Sequence, residues 1–339
     1  MHFDFVHDLV LFCMKENIIR WGIIGCGDVT EVKSGPAFNK VPNSKLVAVM
    51  RRNAEKAADY AKRHGVPKWY SDATELINDP DVNAIYVATP PLQHEAYAVQ
   101  ALRAGKPVYV EKPMALNAAA AQRIANAAAQ TSVKLTVAHY RRQQPLFLKI
   151  KSLLEEKVLG DVRFVNLQFF QPHNSNVVAK TEENWRIDPA VSGGGLFHDL
   201  APHQLDLLLY FFGKPLKVAG ISVNASQLYN ADDAVSGQAL FDKNILFNGA
   251  WAFTVSARKD WCEIVGTKGS LRFSVFDHQP IVLTVNGGER QFEFERLQHV
   301  QQPMIKRVVQ YFLGDAPNPC SADEGLAVVQ MIEAMAKET

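Results

Sequence analysis

Residues 18–30, IIRWGIIGCGDVT, decide the architecture of this chain. Ile18 to Ile24 is an apolar β run that ends in Gly25 and Gly27. These match the first two glycines of a GxGxxG pattern, with Thr30 at the third place. Glycines there let the chain turn tightly out of a strand, so that backbone amides approach a pyrophosphate where the next helix opens. Many tight turns share two glycines, so the stretch gains its weight from the segments C-terminal to it.

Outward from that turn, strands and helices alternate. Leu46 to Met50, Ala84 to Ala88, Val108 to Val110 and Lys134 to Ala138 are apolar runs of strand length. Between them Ala54 to His64, Ser71 to Asn78, His94 to Ala104 and Asn117 to Gln130 are helical stretches. Asn117 can cap the last of these, and Gly105 ends the helix before it. Short buried strands separated by such helices imply βαβ units in a parallel sheet. The expectation is a doubly wound Rossmann domain over residues 18–140.

Past about residue 150 the pattern changes. A helix at Pro145 to Lys157 precedes the strand Val162 to Gln171, and strand-like segments fill Lys217 to Phe294. Turn signals fall at Asp242-Lys243-Asn244, Lys268-Gly269 and Asn286-Gly287-Gly288. The alternation from Gln291 to Glu295 suits a half-exposed antiparallel strand. Pro303 to Leu313 and Ser321 to Ala336 are helical. The fold class is therefore α/β, with the Rossmann sheet followed over residues 141–339 by an α+β domain whose sheet is largely antiparallel. Its C-terminal helix can pack back on the first domain. Pro202 lies in a helical run and predicts a late or kinked first turn there.

At 339 residues the chain exceeds what one core usually organises. Its 36 basic and 35 acidic residues leave no global field for nucleic acid or an anionic membrane. Cys13, Cys26, Cys262 and Cys320 are scattered, which fits reduced thiols in a cytoplasm and neither a disulfide framework nor a metal site. Residues 1–13 lack the basic start and clean apolar run of a signal peptide, and are expected to be a dispensable extension within the segment 1–17.

The second strand ends in Met50-Arg51-Arg52-Asn53, with Lys56 in the following turn. A carboxylate usually holds the ribose hydroxyls of NAD at this place; here guanidinium groups stand ready for a 2′-phosphate instead. The cofactor expected is NADP rather than NAD.

Residues 84–116 read AIYVATPPLQHEAYAVQALRAGKPVYVEKPMAL. With Thr89-Pro90-Pro91, His94 and Glu111-Lys112-Pro113, the block strongly resembles the Gfo/Idh/MocA oxidoreductases (glucose–fructose oxidoreductase, inositol dehydrogenase and relatives). The resemblance extends from Ile18 to the C-terminal helix and includes Gly266-Thr-Lys-Gly269. A lysine after a parallel strand points into the crevice where α/β sheets bind ligands, and its ammonium can stabilise a developing alkoxide. The bland alternative is a surface lysine paired with Glu111.

A second constellation, SGGGLFHDLAPHQLD at 192–206, puts Asp199 and His203 four residues apart on one helix face, with His198 pointing elsewhere. The family carries aspartate and histidine at this spacing. The resemblance thus assigns catalysis to Lys112, Asp199 and His203, with His203 as acid–base near pH 7 and Asp199 orienting it or binding substrate hydroxyls. Cofactor contacts fall to Gly25, Gly27, Asp28, Val29, Arg51, Arg52, Lys56, Thr89, Pro90, Pro91, His94, Glu111 and Lys112. Trp185-Arg186 joins them by likeness to NADP-using relatives, against a core tryptophan beside a surface arginine. Substrate contacts fall to Lys112, Tyr140, Arg186, Asp199 and His203, Tyr140 belonging to a His139-to-Arg142 run near the crevice.

The activity expected is hydride transfer between nicotinamide and a carbinol or carbonyl carbon of a sugar, polyol or cyclic diol. The alternative is a cofactor-binding redox sensor without turnover, against which the retained Lys112, Asp199 and His203 argue. A homodimer or homotetramer through the second domain's sheet is expected, and no metal, membrane or nucleic-acid partner.

Overall fold

The computed structural model describes residues 17–173, 175 and 184–336, so the expected extension at 1–13 lies outside the described residues. The first sheet holds β1 (Ile19–Ile24), β2 (Ser44–Met50), β3 (Lys68–Tyr70), β4 (Ala84–Val87), β5 (Val108–Val110) and β6 (Leu135–Val137) in the order β3-β2-β1-β4-β5-β6. Every pairing is parallel. β4, β5 and β6 are buried throughout, which is why they stand out as apolar runs. β3 is a half-exposed edge with Trp69 46% exposed, so it carries no such signal.

Strand order reverses at β1, where β2 and β4 lie on either side. In register, Ile24 pairs with both Met50 and Val87. The three strands therefore end level, and the segments after them (Gly25, Arg51 and Ala88 onward) emerge at one rim. Such a switch point is where doubly wound sheets bind ligands. Trp21, Phe38, Tyr86 and Tyr109 pack on one face, with ring centroids 4.8 Å apart for Trp21–Phe38 and 5.0 Å for Tyr86–Tyr109. The helix Gln302–Leu313 closes this core with Met304, Ile305, Val308, Val309 and Phe312.

The second sheet comprises β7 (Val162–Phe170), β8 (Lys217–Val223), β9 (Ala234–Phe241), β10 (Ile245–Ala252), β11 (Lys259–Gly266), β12 (Gly269–Phe273), β13 (Ile281–Val285) and β14 (Gly288–Phe292), ordered β14-β13-β12-β11-β7-β10-β9-β8. All its pairs are antiparallel except β7 with β10. Asn286 and Gly287 both take positive φ, as a two-residue hairpin turn demands. β14 stops at Phe292, short of the expected alternation to Glu295, because the chain there leaves the sheet edge to wall the cleft between the two sheets.

The helices Leu196–Phe212 and Ala322–Met335 cover one face of this sheet. The first begins at Leu196 and runs unbroken through Pro202, against the expectation of a late start. A proline removes one internal hydrogen bond, here toward His198, and this buried helix carries that loss within its packing. The opposite face is open: Ile221 is 58% exposed, Val223 49% and Leu246 49%.

Candidate active site

A cleft of about 1580 Å³ runs from the glycine turn, over the rim of the first sheet, to the loops of the second. One small ligand usually occupies roughly 300–1,000 Å³, so the space suits a dinucleotide together with a substrate. Gly25, Gly27, Asp28, Val29, Arg51, Arg52 and Lys56 line one end, and Thr89, Pro90, Pro91, Glu111 and Lys112 its floor. Gly25 sits at φ +94°, and a Cβ there would stand 2.9 Å from the backbone of Ala88 and of Thr89, so only glycine lets the turn pass this close.

Lys112 follows β5 and reaches across the cleft. Its Nζ donates to Asp199 Oδ1 and to the Asp199 carbonyl, both at 2.8 Å. Arg186 Nε donates to Asp199 Oδ2 at 3.1 Å, and its guanidinium lies 4.4 Å from the Trp185 ring centroid. One carboxylate thus fixes two cations. Burial pushes the Asp199 carboxyl up, but Lys112 and Arg186 outweigh it and hold the net pKa below the ordinary value. Asp199 is therefore engaged with Lys112 and Arg186, not with its helix neighbour His203.

Glu111 does not pair with the Lys112 ammonium. Its Oε1 accepts from Tyr86 Oη at 2.5 Å and Gln301 Nε2 at 2.6 Å, and its Oε2 from the Lys112 amide at 3.1 Å. This buried cluster seats the backbone from which Lys112 projects.

His203 lies at the same place on the opposite wall, between Tyr140 (5.2 Å) and Phe276 (5.5 Å), both edge-on. Burial, then Lys112, Arg141 and His139, hold its pKa well below the usual histidine value. These surroundings favour the neutral imidazole. His198 is turned away, packed against Gly194 and pushed by burial to a pKa of about 4.

His94 is the one expected cofactor contact that does not line the cleft. It is 1% exposed and bridges the carbonyls of Pro113 (2.9 Å) and Thr89 (2.7 Å), tying together the two floor loops. Trp185, Arg186 and Tyr140 do line it. Phe276, from the loop between β12 and β13, and Gln301 line it too, and no motif in the sequence announced either. Among the described residues, no cluster of three or more metal-ligating side chains occurs and no helix is long and apolar enough to cross a membrane.

A six-stranded Rossmann sheet, with a glycine turn at its switch point and a lysine facing a second domain's aspartate and histidine, defines a dinucleotide-binding oxidoreductase. More narrowly, the chain belongs to the Gfo/Idh/MocA family: the model of that oxidoreductase family's NAD-binding Rossmann fold matches residues 19–139, and the model of its C-terminal domain residues 147–272. An oxidoreductase of Formosa agariphila is 48% identical over 94% of this chain and 98% of its own length. Trans-1,2-dihydrobenzene-1,2-diol dehydrogenase of Bos taurus is 30% identical over 81% of this chain and 79% of that protein. A levoglucosan dehydrogenase solved with NADH and levoglucosan superposes with a TM-score of 0.84 at 20% identity, covering 94% of this chain and 95% of that one, a likeness of fold.

Proposed function

We propose that this protein is an NADP(H)-dependent oxidoreductase acting on a carbinol or carbonyl carbon of a sugar, polyol or cyclic diol. The observation that carries the proposal is Lys112 Nζ, held 2.8 Å from Asp199 at the switch-point crevice and facing His203. The bound cofactor would supply the hydride acceptor or donor. Gly25 and Gly27 would admit its pyrophosphate, and Arg51, Arg52 and Lys56 at the same end suit a 2′-phosphate.

Lys112 donates a hydrogen bond to the reacting oxygen and stabilises charge as it becomes an alkoxide. Asp199 aims that ammonium. In the oxidising direction the neutral His203 accepts the hydroxyl proton. In the reducing direction the same imidazole, unfavourably charged in its buried seat, returns the proton readily. The diol substrate of the bovine relative and the sugar of the levoglucosan enzyme support this substrate class.

The decisive experiment titrates NADP(H) against NAD(H), then screens keto-sugars and diols with the preferred cofactor. Tighter binding of NADP(H) and turnover of at least one carbonyl substrate are expected, with turnover abolished in Lys112→Ala while NADPH binding persists. Equal affinity for both cofactors refutes the assignment to NADP, and full activity of Lys112→Ala refutes the role of the lysine. The open face of the second sheet, with Ile221, Val223 and Leu246, suits a second copy of the chain. A monomer at micromolar concentration by light scattering would count against that assembly. The free buried thiols Cys26, Cys262 and Cys320 favour a cytoplasmic setting.

A further inference from the structure

The cleft is not evenly charged along its length. At the glycine-turn end Arg63 is bound to Glu31 and Asp59, and Arg51, Arg52 and Lys56 line the cleft together with Asp28. On the far wall Arg258 pairs with Asp277, and Glu295 adjoins Arg296. The far wall largely cancels, whereas the glycine-turn end keeps a positive excess suited to cofactor phosphate.

The middle, beside Lys112 and His203, keeps a positive excess of its own. Lys33, Lys112, Arg141 and Arg186 line it, against the two carboxylates Asp199 and Glu111. Glu111 is spent on Tyr86, Gln301 and a backbone amide, and Asp199 is shared between Lys112 and Arg186. Arg186 is 8% exposed, yet its Nη1 has no hydrogen-bond partner. Arg141 is bound to no carboxylate among the described residues; its Nη1 donates to the Val275 carbonyl. Its guanidinium is held 4.6 Å from the Phe276 ring and 5.5 Å from the Tyr140 ring, the two aromatic groups that flank His203.

A guanidinium has five N–H donors and no acceptor, in a planar fork that matches a carboxylate. A neutral polyol presents donors as well as acceptors and matches it less well. Rings that fix the fork beforehand lower the entropy lost on binding. Excess positive charge in a walled cleft also draws anions in.

We propose that the substrate is a sugar acid whose carboxylate docks on Arg141, leaving its reacting carbinol before Lys112 and His203. This rests on the proposed oxidoreductase function and narrows its substrate. The carboxylate is a handle and is unchanged by the reaction.

The test uses the full chain with NADP bound and matched pairs that differ only in the acid group, glucose with glucuronate and galactose with galacturonate, extended to other aldonic and uronic acids. Calorimetric affinity and kcat/KM are both read. At least one acid is expected to bind about tenfold or more tightly than its neutral parent, and the preference should shrink between about 50 mM and about 500 mM salt. Arg141→Gln should reduce that preference about tenfold, and Arg141→Lys should keep part of it. No acid preferred over its parent, no acid bound at all, or a preference untouched by Arg141→Gln would each overturn the proposal. Should Arg141→Gln fail to fold, the salt dependence of the acid against its neutral parent decides. Tight acid binding without turnover of anything would defeat the oxidoreductase function and leave the docking site standing. Turnover of neutral sugars with no acid preference would do the reverse.

Discussion

Asp199 and Asp206 lie two turns apart on the helix Leu196–Phe212, and each holds an arginine, yet the two ion pairs do different work. Asp199 meets Lys112 and Arg186 at the wall of the cleft, with side chains 10–12% exposed. Asp206 meets Arg142, whose Nε lies 3.0 Å from both carboxylate oxygens and whose Nη2 lies 2.7 Å from Oδ1. Both partners there are almost wholly buried, and Arg142 reaches on to Glu324 at 2.5 Å and to the Pro319 carbonyl at 3.3 Å. The deeper pair ties the Tyr140–Gln143 turn, the long helix and the helix Ala322–Met335 into one body. The two sites share their chemistry and differ in whether a ligand can reach one side. Closed, the pair is a staple; open, it is within reach of a ligand in the cleft.

That contrast can be broken in order of size. Arg142→Met leaves Asp206 buried and uncompensated, so stability should fall by about 3–5 kcal/mol, read from the denaturant midpoint. An unmoved midpoint would remove the staple from the account. Asp199→Asn should instead lower kcat by about 10²–10³-fold as Lys112 and Arg186 lose their anchor, and shift the midpoint less than Arg142→Met does. If the larger stability loss came from Asp199→Asn, the roles assigned to the two aspartates would be reversed.

The pH profile comes third. A histidine that accepts a proton is active while neutral, so activity in the oxidising direction is present above its pKa and lost as pH falls through it. Since burial and neighbouring cations lower that pKa, kcat/KM should stay flat through about pH 6.5, where an ordinary histidine would already have lost half. Half-loss near 6.5 would show His203 unperturbed. Smallest, Ser321→Ala removes a capping box in which Glu324 Oε2 accepts from the Ser321 amide at 2.8 Å. A cost of about 1 kcal/mol with unchanged kcat is expected. Because Glu324 also holds Arg142, a double variant with Arg142→Met should lose less than the sum of the two.

Much of the fold was legible because its decisive strands are buried on both faces and so spell continuous apolar runs. β3 was not, since an exposed three-residue edge leaves no pattern. The glycine turn and Lys112 were legible through spacing and position. The pairing of Lys112 with Asp199 was not, because those residues are 87 positions apart and meet only when two domains close on each other. Asp206 and Arg142 both stood inside stretches singled out in the sequence, yet nothing local tells a buried arginine from a solvated one. His94 misled for a related reason: a histidine beside a binding loop can equally well be the strut behind it. Phe276 comes from a loop with no motif and is fixed in place only by the second sheet.

The core of the first sheet is closed by Met304 through Phe312, and Leu326 and Val329 of the helix Ala322–Met335 belong to the same core. A ribosome delivers these residues after the whole of the second sheet has been made. The domain translated first is therefore completed last, and until then Trp21, Tyr86 and Tyr109 present an uncovered aromatic surface to the cell. Nascent chains stalled before residue 302 should need a chaperone that full-length chains do not.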